Sequence, residues 1–464
     1  MNISDKNAFH FIGIGGAGMS GLARILLEEG KRVSGSDAED SPVVKRLKSI
    51  GARISIGHKA SNITNQDIVV YSSSIRKENA EMVEADLKGI PLISRGKMLS
   101  LLLNPRKGIA VCGSHGKSTV SSLVALIVKR AGLGPTFAIG ADINELEGNA
   151  GSGTGDIFVA EADESDGSFL YLEPYYAILT NMDKEHMDYY ADMKEVKNAY
   201  IKFMRHIKPA GKLLYCLDDK PLAKAVASFD GAKLSYGIDS GADMLAYDIS
   251  LKGSSSYFRC RYKGDEIGEM EISLAGRHNV CNALAAIGLS MEMGIGFDTA
   301  KKVLGGFKGM KRRMGILYDS FGIRVMDDYA HHPTEIRATL EAIRNMCEGR
   351  LICVFQPHRY TRTKSLAAEF GASFGDSDAL ILTDIYSAGE PAIEGVSAMD
   401  IVKSTAAAGY RDVRYVPKNE IPAYLTDIIK KGDTVAFLGA GDIGKVAQDF
   451  KAVLVKTEKV IRSK

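Results

Sequence analysis

The sequence predicts an α/β protein of three domains, each built around a mainly parallel sheet. Three observations predict it. Short β-branched runs alternate with amphipathic helical stretches along most of the chain, the rhythm of βαβ units. Glycine-rich turns carry a strand into a helix at Gly13, Gly113 and Gly439. The length of 464 residues, at roughly 100–200 residues per domain, suggests about three folding units.

In the first segment, Phe9–Gly13, Arg32–Gly35, Ile68–Ser72 and Pro91–Ser94 read as strands, with helices over Met19–Glu29 and Glu78–Leu87 between them. Pro105 and Gly108 punctuate the end of the preceding helix, so a linker is expected over Asn104–Gly108 and a first domain over residues 1–106. The second segment opens with a strand at Ile109–Cys112 and a helix from Lys117, followed by apolar strands at Ile157–Ala160 and Ala177–Thr180. Between residues 245 and 275 the pattern becomes alternating strands without helices, which predicts an antiparallel patch and hence a mixed sheet. A helix over Asn279–Met293 follows, and the stretch Gly305–Arg313 marks a second boundary. The central domain is therefore expected over 107–309 and the last over 310–464. There the alternation resumes, with strands at Leu351–Gln356, Ala379–Thr383 and Thr434–Leu438. The chain contains no tandem repeat and no low-complexity tract.

Composition narrows the class. Hydrophobic residues make up 45% and charged residues 25%, enough apolar material for several cores without disulfides. The net charge of +2 is spread along the chain with no basic tail or arginine stripe, which argues against nucleic-acid binding. The six cysteines (Cys112, Cys216, Cys260, Cys281, Cys347 and Cys353) form no C-x-x-C pair, so reduced thiols are expected rather than a disulfide framework or a structural zinc site. The N-terminus lacks a signal-peptide pattern, and no apolar run reaches the ~18 residues that span a bilayer. A soluble cytoplasmic protein is expected.

The first glycine cluster, HFIGIGGAGMSG from His10 to Gly21, places G-x-G-x-x-G at Gly13, Gly15 and Gly18 between a strand and a helix, the mark of a Rossmann-like domain. Glycines there let the backbone approach a diphosphate, and the helix N-terminus offers free N–H groups. Gly15, Gly16, Ala17, Gly18 and Met19 are thus candidate ligand contacts, with Asp37 at the end of the next strand placed for a ribose hydroxyl. The motif demands only a diphosphate, so a nicotinamide dinucleotide and a UDP-sugar both satisfy it. A second G-x-G-x-x-G at Gly439, Gly441 and Gly444 has too little chain after it for another βαβ unit, and reads as the strand-to-helix turn of a Rossmann-like C-terminal domain.

Gly113, Ser114, His115, Gly116, Lys117, Ser118 and Thr119 follow an apolar strand and begin a helix. This is phosphate-loop chemistry: backbone N–H groups cradle phosphates, Lys117 neutralises β/γ oxygens and Ser118 can ligate Mg²⁺. An ATP-binding central domain follows from it. The segment Asp156–Asp166 then puts Glu161, Asp163, Glu164 and Asp166 at the end of an apolar strand, where a carboxylate holds the nucleotide's metal; Glu161 is the first choice. Further on, His358, Arg359 and Arg362 follow the strand LICVFQP, where α/β sheets place ligand contacts, and paired arginines suit carboxylate and phosphoryl groups. Asp328, Tyr329, His331 and His332 form a polar cluster before Pro333, which also suits a helix entry.

These pieces, in this order, resemble the Mur ligases of peptidoglycan synthesis over the whole chain. GIGGAGMSG, GSHGKST, EADESDGSF, HMD, GRHNVCNALAA, KRR, DDYAHHPTEI, HRYTRT and GAGDIGK are similar to segments of the alanine-adding branch. Two departures are small: Ser118 stands where threonine is more usual, and Glu185 where aspartate often precedes the histidine. The resemblance implies an ATP-dependent ligase with UDP-N-acetylmuramate on the first domain and ATP on the second. The third would then bring L-alanine and further nucleotide contacts, Arg312 and Arg313 among them. It makes His186 a second metal ligand beside Ser118 and Glu161. It sets Asn279 and Asn282 near the adenine, a helix-capping role being the other reading. It brings Ser72 and Ser73 to the UDP phosphates, against simple turn serines. Lys117, Arg359 and Arg362 would stabilise charge, and Asp328 or His331 would take a proton from the amine. Monomer and homodimer remain open. A ligase adding a recycled peptide to the same sugar is the nearest alternative. A NAD-dependent dehydrogenase would leave GSHGKST without a role, and a non-catalytic phosphate-loop regulator would leave HRYTR without one.

Overall fold

The computed structural model describes every residue except 2, 188, 240, 308, 311, 463 and 464, so Asp188 and Lys311 of the quoted motifs lie outside the described residues. The first sheet is built from β1 (Ala8–Ile12), β2 (Arg32–Asp37), β3 (Arg53–Ile56), β4 (Ile68–Tyr71) and β5 (Leu92–Ser94), in the order β3-β2-β1-β4-β5. All its pairings are parallel. Helices α1 (Ala17–Glu28), α2 (Pro42–Ser49), α3 (Ala80–Leu87) and α4 (Arg95–Leu103) connect or follow these strands. The sequence reading overlooks β3 and α2. The strand β3 has no fully buried residue, and α2 relies on Ser41 as N-cap with Pro42 at its first position rather than on a long apolar stripe.

The central sheet follows β6 (Lys107–Cys112), α5 (Lys117–Arg130), β7 (Thr136–Ile143), β8 (Gly148–Gly151), β9 (Ile157–Glu161), β10 (Tyr176–Leu179), α6 (Met193–Arg205), β11 (Lys212–Cys216), α7 (Lys220–Val226), β12 (Lys233–Gly237), β13 (Met244–Lys252), β14 (Ser255–Tyr262) and β15 (Asp265–Ile272). Its order is β15-β14-β13-β12-β11-β10-β6-β9-β7-β8. The sheet is mixed: β6 pairs in parallel with β9 and β10, whereas β7 and β8 form an antiparallel hairpin. After α8 (Arg277–Glu292) and α9 (Phe297–Gly306) comes the third sheet: β16 (Gly315–Ser320), β17 (Ile323–Asp328), α10 (Pro333–Arg344), β18 (Leu351–Phe355), α11 (Tyr360–Ser365), α12 (Ala367–Gly371), β19 (Ala379–Leu382), α13 (Ala398–Ala407), β20 (Val413–Tyr415), α14 (Ile421–Ile428), β21 (Thr434–Leu438) and α15 (Ile443–Arg462). Its order is β16-β17-β21-β18-β19-β20, with β16 the antiparallel edge.

Alternation along β18 shows how this sheet is covered on both faces. Ile352 and Val354 join Val435, Phe437, Leu425 and Phe450 on one side; Leu351, Cys353 and Phe355 join Ile336, Leu340, Phe370 and Phe374 on the other. By packing, the chain divides into two compact units, one of residues 1–248, 258–270 and 281–307 and one of 249–257, 271–280 and 308–464. The first sheet and most of the central sheet thus share a unit.

Two expected linkers shorten. Lys107 and Gly108 already belong to β6, where Leu103 occupies the space a side chain at Gly108 would need. At the second boundary, α9 continues through Gly306. Among the described residues, no helix is long and apolar enough to cross a membrane.

Candidate functional site

In the first unit, β1 runs into the glycine turn and α1. Gly13 adopts φ 77°, and its N–H and that of Ile14 both donate to Ser36 O, which closes the turn. Gly16 caps α1 without a side-chain hydrogen bond, so the first-turn N–H groups face outward from an exposed run of Gly16, Ala17 and Gly18. Met19 is buried under it. Asp37 Oδ2 accepts the Gly15 N–H at 2.7 Å, so this carboxylate shapes the turn itself. Ser72 and Ser73 lie just past β4, and the Ser72 Cβ stands 3.7 Å from where a Gly13 side chain would begin. An arginine that the sequence reading missed sits here: Arg95 packs against Gly18 and reaches Asp163 Oδ2 at 3.3 Å. Its position at the start of α4, far along the chain, gives no local signal.

The phosphate loop joins β6 to α5. Gly113 and Gly116 take φ 138° and 83°, conformations that favour glycine, and Gly116 caps α5 with no side-chain bond. Lys117 Nζ donates to Gly113 O at 2.7 Å and to Glu164 Oε1 and Oε2 at 2.8 and 3.0 Å. Burial acts against its charge, but Glu164, Asp163 and Glu161 hold the ammonium well above its ordinary value. Ser118 Oγ donates to Glu161 Oε2 at 2.9 Å, and the Gly140 N–H to the same oxygen at 2.8 Å. His186, at φ 58°, brings Nε2 within 3.4 Å of both Glu164 Oε1 and Glu185 Oε2, and ligand atoms of these three residues lie within 4.8 Å of one another. Burial pulls the imidazole down, but the Glu164 hydrogen bond and both carboxylates raise it overall.

Of the expected metal ligands, Ser118 and Glu161 therefore touch, and His186 stands with Glu164 and Glu185. Glu164 is the residue the spacing did not single out. The loop after β9 turns back at Gly167, φ 70°, and buries Glu164 completely beside Lys117. The rest of the loop is braced from β10. The His115 N–H donates to Asn181 Oδ1 at 2.7 Å, the Asp183 N–H donates to Ser114 Oγ at 2.9 Å, and the Thr180 hydroxyl donates to His115 O at 2.6 Å. Thr119 is buried in the first turn of α5. Asn282 lies against the loop, its Oδ1 only 2.5 Å from where a Gly116 Cβ would stand. Asn279 falls in the other unit, and its amide donates to Ala275 O at 2.8 Å, a helix-start bond. Oxygen donors from Ser118 and Glu161 suit a hard divalent cation, and unfilled helix N–H groups suit phosphate, so these residues fit Mg²⁺ and a nucleoside triphosphate.

The second unit gathers the remaining candidates at the carboxyl ends of β17 and β18. The rings of His331 and His358 lie 5.7 Å apart, and His358 stacks on Tyr386 at 5.6 Å. Arg362 Nη1 approaches His358 Nδ1 at 3.2 Å, and Arg359, held at φ 71°, reaches Glu390 at 3.4 Å. Burial and then His331, Arg362, Arg359 and Arg312 push the His358 imidazole down to about 3. The guanidinium groups of Arg312 and Arg313 lie 5.2 and 5.5 Å from the Tyr329 ring. Arg312 also donates to Gly439 O at 2.6 Å, tying it to the second glycine turn between β21 and α15. Asp328 is enclosed: its carboxylate accepts from Met314 N at 2.6 Å, Ala330 N at 2.7 Å and Thr339 Oγ1 at 3.4 Å, and burial raises it above the usual range. His332 caps α10.

Comparison with known proteins gives the context for this arrangement. The chain matches the models of the Mur ligase family catalytic domain over residues 8–107, the Mur ligase middle domain over 111–290, and the Mur ligase glutamate ligase domain over 312–441. It is 45% identical over 441 residues to a UDP-N-acetylmuramate–L-alanine ligase of Geobacter sp. (strain M21), covering 95% of this chain and 96% of that one. The crystal structure of a UDP-N-acetylmuramate-alanine ligase from Thermotoga maritima superposes with a TM-score of 0.79 at 27% identity, over 98% of this chain and all (100%) of the other. A murein peptide ligase from Psychrobacter arcticus gives 0.70 at 25% identity, over 96% and 98%.

Proposed function

The chain belongs to the Mur ligase family, and from that premise we propose that it is an ATP-dependent ligase joining L-alanine to the lactyl carboxylate of UDP-N-acetylmuramate. This is a step of peptidoglycan precursor synthesis that releases ADP and phosphate. The observation that carries it is the phosphate loop: a buried Lys117 beside Glu164, and Ser118 on Glu161, at the uncapped start of α5.

A carboxylate does not acylate an amine directly, because oxide is too poor a leaving group. The lactyl carboxylate attacks the γ-phosphate of ATP and ADP leaves. The amine of L-alanine then attacks the acyl phosphate at carbon, and phosphate leaves from the tetrahedral intermediate. Lys117 offsets the repulsion between the two approaching anions. Ser118, Glu161 and His186 would hold Mg²⁺, which when bound neutralises the phosphate oxygens. The glycine turn at Gly15–Met19, exposed at Gly16, Ala17 and Gly18 and with Ser72, Ser73 and Arg95 beside it, holds the UDP diphosphate. Asn282, which abuts Gly116, faces the nucleotide. Arg359 and Arg362 orient the carboxylates, while Tyr329 and His358 line the same surface. His331 is the better acceptor for the amine's proton, since three donors already occupy the Asp328 carboxylate. The reading puts the reaction in the cytoplasm, where six scattered cysteines without a C-x-x-C pair stay reduced.

The test offers the purified chain ATP, Mg²⁺ and UDP-N-acetylmuramate with either L-alanine or the tripeptide L-alanyl-γ-D-glutamyl-meso-diaminopimelate. ADP release with L-alanine alone is expected. Release with the tripeptide alone would reassign the enzyme to peptide recycling, and release with neither would sink the ligase reading.

A further inference from the structure

The carboxyl edge of the central sheet carries a second cluster that the ligase chemistry does not use. Cys216 ends β11, Asp218 follows it, and Cys281 lies in the second turn of α8. Their two sulfurs and a carboxylate oxygen lie within 4.8 Å of one another. Cys216 is buried, while Asp218 and Cys281 are half-buried and so within reach of solvent ions. The Asp218 carboxylate is preset, with Oδ2 accepting the Ile238 N–H at 2.6 Å and Oδ1 the Asp239 N–H at 3.4 Å. Sequence spacing hides this group, because Cys216 and Cys281 come from different elements and form no short motif.

We propose that Cys216, Asp218 and Cys281 form a binding site for a thiophilic divalent cation of the zinc class, distinct from the magnesium position at Ser118 and Glu161. Two sulfur donors select soft cations over Mg²⁺ or Ca²⁺, and one carboxylate oxygen plus water completes a tetrahedron. Zn–S bonds of about 2.3 Å at tetrahedral angles set two sulfurs roughly 3.8 Å apart, so the ligand atoms need shifts of only about 1 Å. The thiol chemistry agrees. Cys281 draws the Cys216 thiol below its ordinary value, helped by the backbone N–H groups of Asp218 and Asp219 and opposed by burial. A thiol disposed to ionise is the form a metal takes. Because Cys281 directly precedes Asn282, which abuts Gly116, such a cation tethers the second turn of α8 to β11 right beside the phosphate loop.

The test uses the full-length chain, metal-stripped and reduced with a phosphine, titrated with Cd²⁺ in excess Mg²⁺. A thiolate-to-cadmium charge-transfer band saturating at one ion per chain is expected, reversed by Zn²⁺. Cys281→Ala should cut the band by about half and weaken affinity at least ~10-fold, and Asp218→Asn should weaken affinity while keeping the band. Circular dichroism checks both folds, with Cys281→Ser as the near-isosteric control. Absence of a band in the parent chain overturns the site, as does an unchanged band and affinity in the Cys281 variants.

Discussion

At the scale of single residues, the pairing of Lys117 with Glu164 decides the behaviour of the phosphate loop. The sequence placed four acids near the strand end but could not say which one turns inward. That depends on the left-handed Gly167, which folds the loop back and buries Glu164 while Glu161 stays at the rim with Ser118. Glu164→Gln removes the strongest attraction on the Lys117 ammonium and leaves its aim poorly fixed. Its kcat should fall on the order of 10²-fold, with KM for UDP-N-acetylmuramate little changed, as steady-state ADP release would record. A second prediction concerns His358, which the sequence identified by position but not by charge state. Its folded value of about 3 lies below the ~6.5 of an unfolded histidine, so between these values the unfolded chain binds the extra proton. Stability contributed by the neutral ring is complete above ~6.5 and is lost as pH falls toward about 3. His278, half-buried and held at about 4 by desolvation and then Arg313, acts in the same direction. His358→Gln should flatten the acid-side slope of denaturant unfolding without abolishing it; an unchanged slope would mean that His358 is charged in the folded chain.

At the scale of elements, the β7–β8 hairpin links the glycine turn after β1 with Glu161 beside the phosphate loop. Arg24 Nη1 donates to the Glu147 carbonyl at 2.9 Å and Arg46 donates to the same oxygen, which fixes the hairpin tip on α1 and α2. Asn149 Nδ2 donates to Ala17 O at 3.1 Å, next to the glycine turn, and at the other end Gly140 holds Glu161. None of this was legible in the sequence. The hairpin is rich in glycine and small residues, which carry little periodicity, and its partners lie more than a hundred residues away in the chain for Arg24, Arg46 and Asn149. By contrast, β1, β6 and β21 were plain, because continuous apolar runs ending in glycine turns leave few other readings. A Cβ at position 140 would stand 2.7 Å from Glu161 Oε2, so Gly140→Ala must turn that carboxylate away from Ser118. The carboxylate is the end of a flexible side chain, and the fold should survive. The Mg²⁺ concentration for half-maximal activity should rise roughly 10-fold while UDP-sugar binding by calorimetry stays constant. An unshifted magnesium curve would show that Gly140 does not position Glu161.

At the scale of the whole molecule, three α/β segments were readable because each contains its own sheet, whereas the packing of the first sheet with most of the central one into one unit was not. That packing depends on long-range contacts such as Arg95 with Asp163 and Arg106 with Glu29, pairs of ordinary charged residues that look like solvated surface in a sequence. It has a measurable consequence for ligand linkage. Both turns proposed to hold ligand phosphates lie in the first unit, so each ligand should stabilise the folded chain by its own mass action, about 2.7 kcal/mol at a hundredfold excess over Kd. The parent chain should therefore show a rise in thermal midpoint of several degrees with UDP-N-acetylmuramate, and another with a non-hydrolysable ATP analogue and Mg²⁺. Lys117→Ala should lose most of the second rise and retain the first, because the glycine turn at Gly13–Gly18 makes no use of Lys117. Removing a buried ammonium also leaves Glu164 without its main counter-charge, so the variant's unliganded midpoint should drop. The comparison therefore rests on the ligand-induced shift, not the absolute midpoint. A full nucleotide shift in Lys117→Ala would mean that the triphosphate binds elsewhere than the loop from Gly113 to Thr119. Loss of both shifts would mean that the two turns are coupled more tightly than separate mass action allows.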